Sequence, residues 1–254
     1  MAIVLAGPYT VSQLDAAWLT ANFLQGIPLL NPDGSAVPAA VIDMHTVAAI
    51  QTLETMLDIT IQTRAGIVER HDYRMDQWKQ WSYLRLRRKP ITSVTSWKVK
   101  YGDDTVFEFP AAWIRIDANW GILRLFPGMG SFASPPVLDQ AYTLAPILMS
   151  ARNAPHLFEV IYSAGLDGSI TADLAQVIGM MSASHLLTQL RDTLLGPGMT
   201  GLSIGLDGLS QSISTQAGAY SARIDWYGKT LGDGVMAGGL LLGLKNKYKM
   251  PVIM

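Results

Sequence analysis

The stretch ITSVTSWKVKYGDDTVFEF, residues 91–109, decides the fold class because its side chains alternate in character along the chain. From Thr95 to Tyr101, apolar or β-branched residues take turns with serine and lysine. Successive side chains of a strand point to opposite faces, so this alternation predicts a strand with one buried face. The GDD sequence at 102–104 supplies a turn, and TVFEF returns as the second strand of a hairpin.

Further strands are predicted on both sides of this hairpin. The segments WIRI and ILRLF, joined by DANWG, predict a second hairpin from Trp113 to Phe126. We expect the two hairpins to form a small antiparallel sheet. The segments beginning TRAGIVER at residue 63 and HLFEVIYSAG at residue 156 also have strand character.

Helical patterns flank the strands and make the chain an α+β protein. We expect a first helix within residues 9–24, with Thr10 or Ser12 as its N-cap, and a second within 41–59, with Asp43 as its N-cap. The longest helix is expected to begin at Asp173 and to end at the GPG sequence of 196–198. A last helix is expected within 216–231.

The composition narrows the possible functions. Of the 254 residues, 49% are apolar and 15% are charged, which predicts a large buried core or large buried interfaces. The net charge of −1 gives the whole chain no field that would attract nucleic acid or anionic lipid. Cysteine is absent, which excludes disulfides and thiolate chemistry. The apolar run at 235–244 has ten residues, too few for a membrane span, so we expect no membrane partner.

No pattern in the sequence predicts catalysis, a metal site or a cofactor. The most suggestive cluster is ERHDYR at residues 69–74, in which His71 and Asp72 could assist a nucleophile. Neighbours on a strand point to opposite faces, so these two side chains are not expected to share a site. We therefore expect no enzyme, no metal and no cofactor.

Basic residues are concentrated between residues 64 and 100, where ten Lys and Arg stand against three acids. Tryptophan and tyrosine are interleaved with them. This mixture is typical of nucleic-acid binding and of protein interfaces; we favour a protein interface, and the nucleic-acid interpretation stays open as the alternative. The basic interface residues are Arg70, Arg74, Arg85, Arg87, Arg88 and Lys89.

The order of these segments resembles the head–tail connector, or adaptor, proteins of tailed bacteriophages. The resemblance rests on VAAIQTLETMLDITIQTR, LRLRRKPITSVTSWKVKYGD, the WIRID…GILRLFP hairpin, FEVIYSAGLDGS and ITADLAQVIGMMSASHLLTQLRD. It covers roughly residues 42–195. It implies a helical bundle with an inserted small antiparallel β-module at about 91–126 and extended terminal arms. Residues 1–41 would then be an added N-terminal helix and long loop, and 196–254 a C-terminal extension.

The resemblance also implies a role. Connectors form a homo-oligomeric ring, typically of about twelve subunits, whose interfaces close on themselves. The ring sits between the portal protein and a tail-side neck or tail terminator protein. It extends the channel through which DNA passes without sequence-specific binding. We accordingly expect a structural protein of the virion, located at the head–tail junction and made in the host bacterial cytoplasm.

Two segments outside the core are candidate docking elements. The glycine- and serine-rich stretch GLSIGLDGLSQSIST, residues 201–215, is expected to form an arm or strand–turn that lies on a neighbouring subunit. The tail LKNKYKMPVIM is expected to dock into a groove of the portal. The residues of the arm are Ser203, Ile204, Asp207, Gly208 and Ser210, and those of the tail are Lys245, Lys247, Tyr248, Lys249, Met250, Val252 and Ile253.

Two alternative functions stay open. The chain could be a nucleic-acid-binding phage protein that uses the basic segment of residues 64–100. It could instead be another tail or neck component, such as a tail terminator or a baseplate protein.

Overall fold

The computed structural model describes residues 8–75, 83–126, 152–166, 168–195, 202–206, 209–213, 220–232 and 239–248. The chain divides into two compact units. The helical unit comprises residues 1–57 and 167–253, and the β unit comprises residues 58–166. The β unit is therefore inserted in the sequence between two parts of the helical unit, and the structure confirms the α+β class.

The described residues form five α-helices and nine strands. The helices are α1 (Ala16–Phe23), α2 (Ala39–Leu57), α3 (Ala172–Leu195), α4 (Ser221–Leu231) and α5 (Leu240–Tyr248). The strands are β1 (Arg64–Arg74), β2 (Leu84–Arg85), β3 (Ile91–Tyr101), β4 (Asp104–Glu108), β5 (Ile114–Asp117), β6 (Ile122–Leu125), β7 (Asn153–Ala164), β8 (Leu202–Leu206) and β9 (Leu209–Ile213). None of the helices among these residues has both the length and the apolar character needed to cross a bilayer.

Two antiparallel sheets make up the β unit. The first has the order β1-β7-β3-β4, and the second has the order β2-β6-β5. The two predicted hairpins are both confirmed, but they lie in different sheets rather than in one. The module is also larger than the expected 91–126, because β1 and β7 pair with each other and β7 pairs with β3. Pairing across so many residues leaves no local sign in the sequence.

The core of the β unit is aromatic. Trp97 on β3 is fully buried, and its ring lies edge-on to those of Phe109 and Phe158, with centroids 5.4 and 5.9 Å apart. Edge-to-face contacts of this kind add to the stabilisation that burial of the rings provides. Leu123 and Leu125 of β6 belong to the same core, so the second sheet covers the apolar face of the first.

The core of the helical unit is formed where α1 and α4 meet α3. Phe23 of α1 lies against Gly179 of α3, and the Tyr227 hydroxyl of α4 donates a hydrogen bond to the Phe23 carbonyl. Leu186 and Leu190 complete this cluster. Helix α1 is therefore an integral part of the helical core, although the resemblance sets it apart as an N-terminal addition.

The predicted ends of the helices are right for α3 and wrong for α1 and α2. Thr10 caps a separate 3₁₀ turn, Val11–Gln13, in which its N–H donates to Gln13 Oε1 at 2.9 Å. Asp15 caps α1 itself, and its carboxylate accepts the Trp18 N–H at 2.8 Å. Helix α2 begins at Ala39, so Asp43 lies inside it. The Asp43 carboxylate instead accepts the Ala16 N–H at 2.8 Å. Aspartate is a favourable N-cap residue at position 15 and at position 43 alike. The tertiary fold decides from which backbone N–H each carboxylate accepts a hydrogen bond.

Gly179 is expected to be required for this packing. A Cβ atom at this position would lie 2.2 Å from the Phe23 ring, so Gly179→Ala should lower the free energy of unfolding by about 1–3 kcal/mol. The matched control is Gly228→Ala in α4, where a Cβ atom meets nothing within 4 Å. That variant should gain about 0.5–1 kcal/mol through its higher helix propensity. Urea unfolding measures the free energy of unfolding of both variants. An equal increase in the two variants would contradict the close contact between Gly179 and Phe23.

Candidate functional site

One residue of the expected basic interface, Arg70, is neutralised on the polar face of the four-stranded sheet. Glu159 of β7 is buried between two cations, with its Oε2 atom 3.3 Å from Arg70 Nε and 3.3 Å from Lys100 Nζ. Arg70 also reaches the Asp103 carboxylate at 3.3 Å. These pairs satisfy a buried carboxylate that would otherwise be costly, so their first role is to stabilise the fold.

A second basic residue of the expected interface, Lys89, also forms a salt bridge within the chain. Lys89 is buried, and its ammonium group lies 3.0 Å from the Asp58 carboxylate. Its carbonyl accepts the Thr60 N–H, which ties the start of β3 to the start of the β unit. Lys89 and Arg70 are therefore structural ion-pair residues in this chain. The other four expected residues, Arg74, Arg85, Arg87 and Arg88, are exposed.

The backbone of Arg87 and Arg88 is held by a polar network on β1 and β7. The Glu69 carboxylate accepts hydrogen bonds from the Tyr162 hydroxyl, from His71 Nε2 at 2.9 Å and from the Arg87 N–H at 3.1 Å. The Arg88 N–H donates to the Tyr162 hydroxyl oxygen at 3.1 Å. The turn before β3 is thus fixed to the sheet below it.

The same network shifts the pKa values of its members. Burial acts to raise the pKa of Glu69, but the hydrogen bonds from His71, Tyr162 and the Arg87 N–H outweigh it and lower the pKa. Burial, followed by the hydrogen bond to Glu69, raises the pKa of Tyr162. Glu69 is therefore ionised and Tyr162 neutral at neutral pH.

The catalytic interpretation of His71 and Asp72 gains nothing from the geometry. His71 is paired with Glu69, two residues away on the same face of β1. Asp72 points to the other face, where its carboxylate accepts the His156 N–H at 2.9 Å. The expectation that these neighbours do not share a site is confirmed. Across the part of the chain that the structure describes, no group of three or more histidines and acids could hold a metal ion.

The second sheet presents a row of three arginines, of which the sequence analysis found Arg85 and missed Arg115 and Arg124. Arg115 of β5 and Arg124 of β6 lie directly opposite each other in the register of the hairpin. Arg85 of β2 is opposite Ile122, so it shares their face of the sheet. All three arginines are exposed, and none forms a salt bridge with another described residue. We call Arg85, Arg87, Arg88, Arg115 and Arg124 the arginine face.

The arginine face belongs to the more basic half of the protein. The β unit contains 13 Lys and Arg against 10 Asp and Glu, a net charge of +3, whereas the helical unit contains 6 against 10, a net charge of −4. The near-neutral total therefore conceals two units of opposite charge. Arg115 lies opposite Arg124 because the turn of this hairpin, residues 118–121, has four residues, whereas the five-residue turn DANWG expected from the sequence would place Arg115 opposite Leu123.

The expected arm has the predicted strand–turn pattern in its described residues. Strands β8 and β9 pair in antiparallel fashion, with Ser203 opposite Ser212, Ile204 opposite Gln211 and Gly205 opposite Ser210. Asp207 and Gly208 lie outside the described residues. Docking of this hairpin on a neighbouring subunit stays a prediction.

The first part of the expected tail belongs to helix α5 and packs within its own unit. Leu244 is buried, and Lys247 Nζ lies 2.9 Å from the Asp173 carboxylate in the first turn of α3. This ammonium group helps to lower the pKa of Asp173, against the effect of burial. Lys245 is exposed and Tyr248 is half-buried. The remaining tail residues, Lys249, Met250, Val252 and Ile253, lie outside the described residues.

Comparisons with known proteins give a likeness of fold alone. No family model and no curated protein matches the sequence. A structure described as the virion of a native gene transfer agent (GTA) particle contains a similar chain, with a TM-score of 0.50 and 15% identity. The match covers 100% of this chain and 96% of that one. A chain in the neck of an empty GTA particle, computed with C6 symmetry, gives a TM-score of 0.48 and 14% identity over 100% and 98% of the two chains.

Arg115 and Arg124, which lie opposite each other, are expected to reduce the stability of the β unit. Like charges opposite each other on a sheet repel, so Arg115→Glu should raise the free energy of unfolding by about 0.2–1 kcal/mol. Arg70→Glu is the matched control, because it places a second carboxylate beside buried Glu159 and should be destabilising. Thermal unfolding at low and high salt measures both changes. A loss of stability in Arg115→Glu would show that Arg115 has a partner in the folded chain.

Glu69 is expected to make stability depend on acid. Its folded-state pKa lies below the ordinary value of 4.5, so its contribution is complete above that value and is lost as the pH falls through the folded-state pKa. Glu69→Gln should make the fall in unfolding free energy below about pH 4.5 shallower, because it removes this titration. Tyr162→Phe should act in the same direction, since it removes a donor to the carboxylate. The measurement is the free energy of unfolding as a function of pH. If this curve is the same in both variants as in the unmodified chain, the pKa of Glu69 is not lowered by these contacts.

Proposed function

We propose that this chain is a structural protein of the neck of a phage-like particle. It forms a homo-oligomeric ring at the head–tail junction, joins the portal protein to the tail-side neck or tail terminator protein, and extends the DNA channel. Its role is assembly rather than catalysis. This proposal combines the resemblance in sequence to the connector proteins with the geometry of the fold.

The observation that carries the proposal is the likeness over the full length to a chain of a native GTA virion. That match includes the inserted β unit as well as the helices on either side of it, since it covers the whole of this chain. At 15% identity it supports the fold. The position at the neck is supported by the connector-like order of segments in the sequence.

A lateral interface for the ring is available on helix α2. The exposed positions Met44, Val47 and Met56 are large and apolar. Ala40, Ala48, Gln51 and Thr55 are also exposed, so the outer side of this 19-residue helix carries no charge. A solvated helix face is usually charged, and apolar exposed surface of this kind is typical of protein interfaces. We propose that the next subunit of the ring covers it.

The two docking elements complete the proposal. The β8–β9 hairpin is the arm that lies on a neighbouring subunit. The residues after Tyr248 dock on the portal. Because Lys247 is bound to Asp173 in its own unit, the docking segment starts at Lys249 rather than at Lys245. The portal contact therefore depends on Lys249, Met250, Val252 and Ile253.

Assembly of the purified full-length chain tests the proposed function. We expect closed rings of about twelve subunits, either alone or on addition of the portal protein, because heterologous contacts close into cyclic assemblies. Native mass spectrometry and negative-stain images of one sample measure the stoichiometry. A chain that stays monomeric in the presence of the portal would overturn the proposal.

Three variants separate the contacts within this assembly. Met44→Lys with Val47→Glu should abolish the ring while leaving the monomer folded, because both positions are exposed. Deletion of residues 199–215 should weaken contacts between subunits. A chain ending at Tyr248 should keep its fold and lose portal binding, whereas a chain ending at Leu244 would also lose the Lys247–Asp173 pair. Normal assembly by the first variant would exclude α2 as the lateral interface.

A further inference from the structure

We propose that the arginine face of the β unit is a binding site for the phosphate backbone of duplex DNA, without readout of base sequence. The site comprises Arg85, Arg115 and Arg124 on the outer side of the second sheet, with Arg87 and Arg88 on the turn that follows β2. The inference stands on the charges and register of this unit, and it does not require the chain to form a ring.

The first argument is the repulsion between Arg115 and Arg124. Directly opposite residues of an antiparallel pair have Cβ atoms about 4.5–5.5 Å apart, and like charges there are destabilising. The hairpin nevertheless places these two arginines directly opposite each other on an exposed face. An anion bound between them would relieve the repulsion, and a phosphate accepts two N–H donors from each guanidinium.

The second argument is the contrast with the other cations of the same unit. Arg70, Lys98 and Lys100 are neutralised by Glu159, Glu108 and Asp103 on the polar face of the first sheet. Lys89 is neutralised by Asp58. Among the described residues, the five members of the arginine face form no salt bridge. One acid, Asp117, is exposed on the same face of the second sheet, opposite Ile122, so five arginines there stand against one carboxylate.

The third argument is the rigidity of the site. The backbone N–H groups of Arg87 and Arg88 are bound by Glu69 and Tyr162, which are fixed in β1 and β7. Gly121 has a φ of 68° and lies so close to this turn that a Cβ atom would be 3.3 Å from the Leu86 carbonyl oxygen. The turn therefore lies tightly against the β5–β6 hairpin. Binding would order few additional backbone torsions, which keeps its entropic cost low.

The composition of the face favours DNA over a protein partner. Protein interfaces have an apolar centre, whereas DNA interfaces are strongly basic and polar. Among the described residues of the β unit, the large apolar side chains that are exposed are Val68, Tyr101, Ile116 and Phe126. Val68 and Tyr101 belong to the first sheet, and Ile116 points away from its neighbour Arg115. Only Phe126 lies beside the arginines.

Fluorescence anisotropy with a labelled 30-base-pair duplex tests the site in the full-length chain. Five phosphate contacts predict that the logarithm of the association constant falls with the logarithm of salt concentration with a slope of about −4.5. Arg115→Gln with Arg124→Gln should reduce this slope by about 1.8 and weaken binding about 60-fold at 0.1 M salt. Two duplexes of unrelated sequence should bind equally.

The matched control removes the same charge from the other unit. Lys229→Gln with Lys245→Gln, both exposed on the helical unit, should leave the slope unchanged. If both double variants lose the same DNA affinity, binding depends on the net charge of the chain, and the proposed site is wrong. Absence of duplex binding at 0.05 M salt would also overturn it. A poly-glutamate peptide can be added as a competitor at the same total negative charge as the duplex. If it displaces the duplex, the face recognises protein carboxylates, and the assignment to DNA is wrong.

Discussion

Strand β7 is the element on which the architecture of the β unit depends. It pairs with β1 on one side and with β3 on the other, so it joins residues that are about sixty to one hundred positions apart in the sequence. Phe158 and Val160 on its apolar face contact the aromatic core around Trp97, while Glu159 on its polar face binds Arg70 and Lys100. Without this central strand, β1 and the β3–β4 hairpin would each have an unpaired edge and an uncovered apolar face.

The two sheets of the β unit treat their basic residues in opposite ways. On the first sheet Arg70, Lys98 and Lys100 are bound by carboxylates of the same sheet, which makes them part of the stability of the fold. On the second sheet Arg115 and Arg124 lie opposite each other, and neither forms a salt bridge with another described residue. A residue's place in a basic stretch of sequence therefore does not decide whether its charge is free, because the partner is supplied by pairing between distant strands.

The proposed ring and the proposed DNA site are compatible but independent. A neck protein needs apolar lateral contacts, for which the uncharged side of α2 is suited, and a surface that faces the passing DNA. Phosphate contacts made by a few solvated arginines are weakened by physiological salt, so they would guide the duplex without holding it tightly. The opposite net charges of the helical and β units are consistent with such a division of roles.

The sequence by itself determined the α+β class, both β-hairpins and the separation of His71 from Asp72, because periodicity, turn residues and alternation act over a few neighbouring residues. It also drew attention to Arg85, Arg87 and Arg88. Only the tertiary structure decided that Lys89 and Arg70 are paired, that Asp43 binds α1 instead of capping α2, and that Arg115 and Arg124 share an exposed face with Arg85. Each of these contacts depends on which distant segment packs against the residue in question. That packing is stabilised mainly by the burial of apolar surface that the two segments share, and no local sequence pattern specifies it.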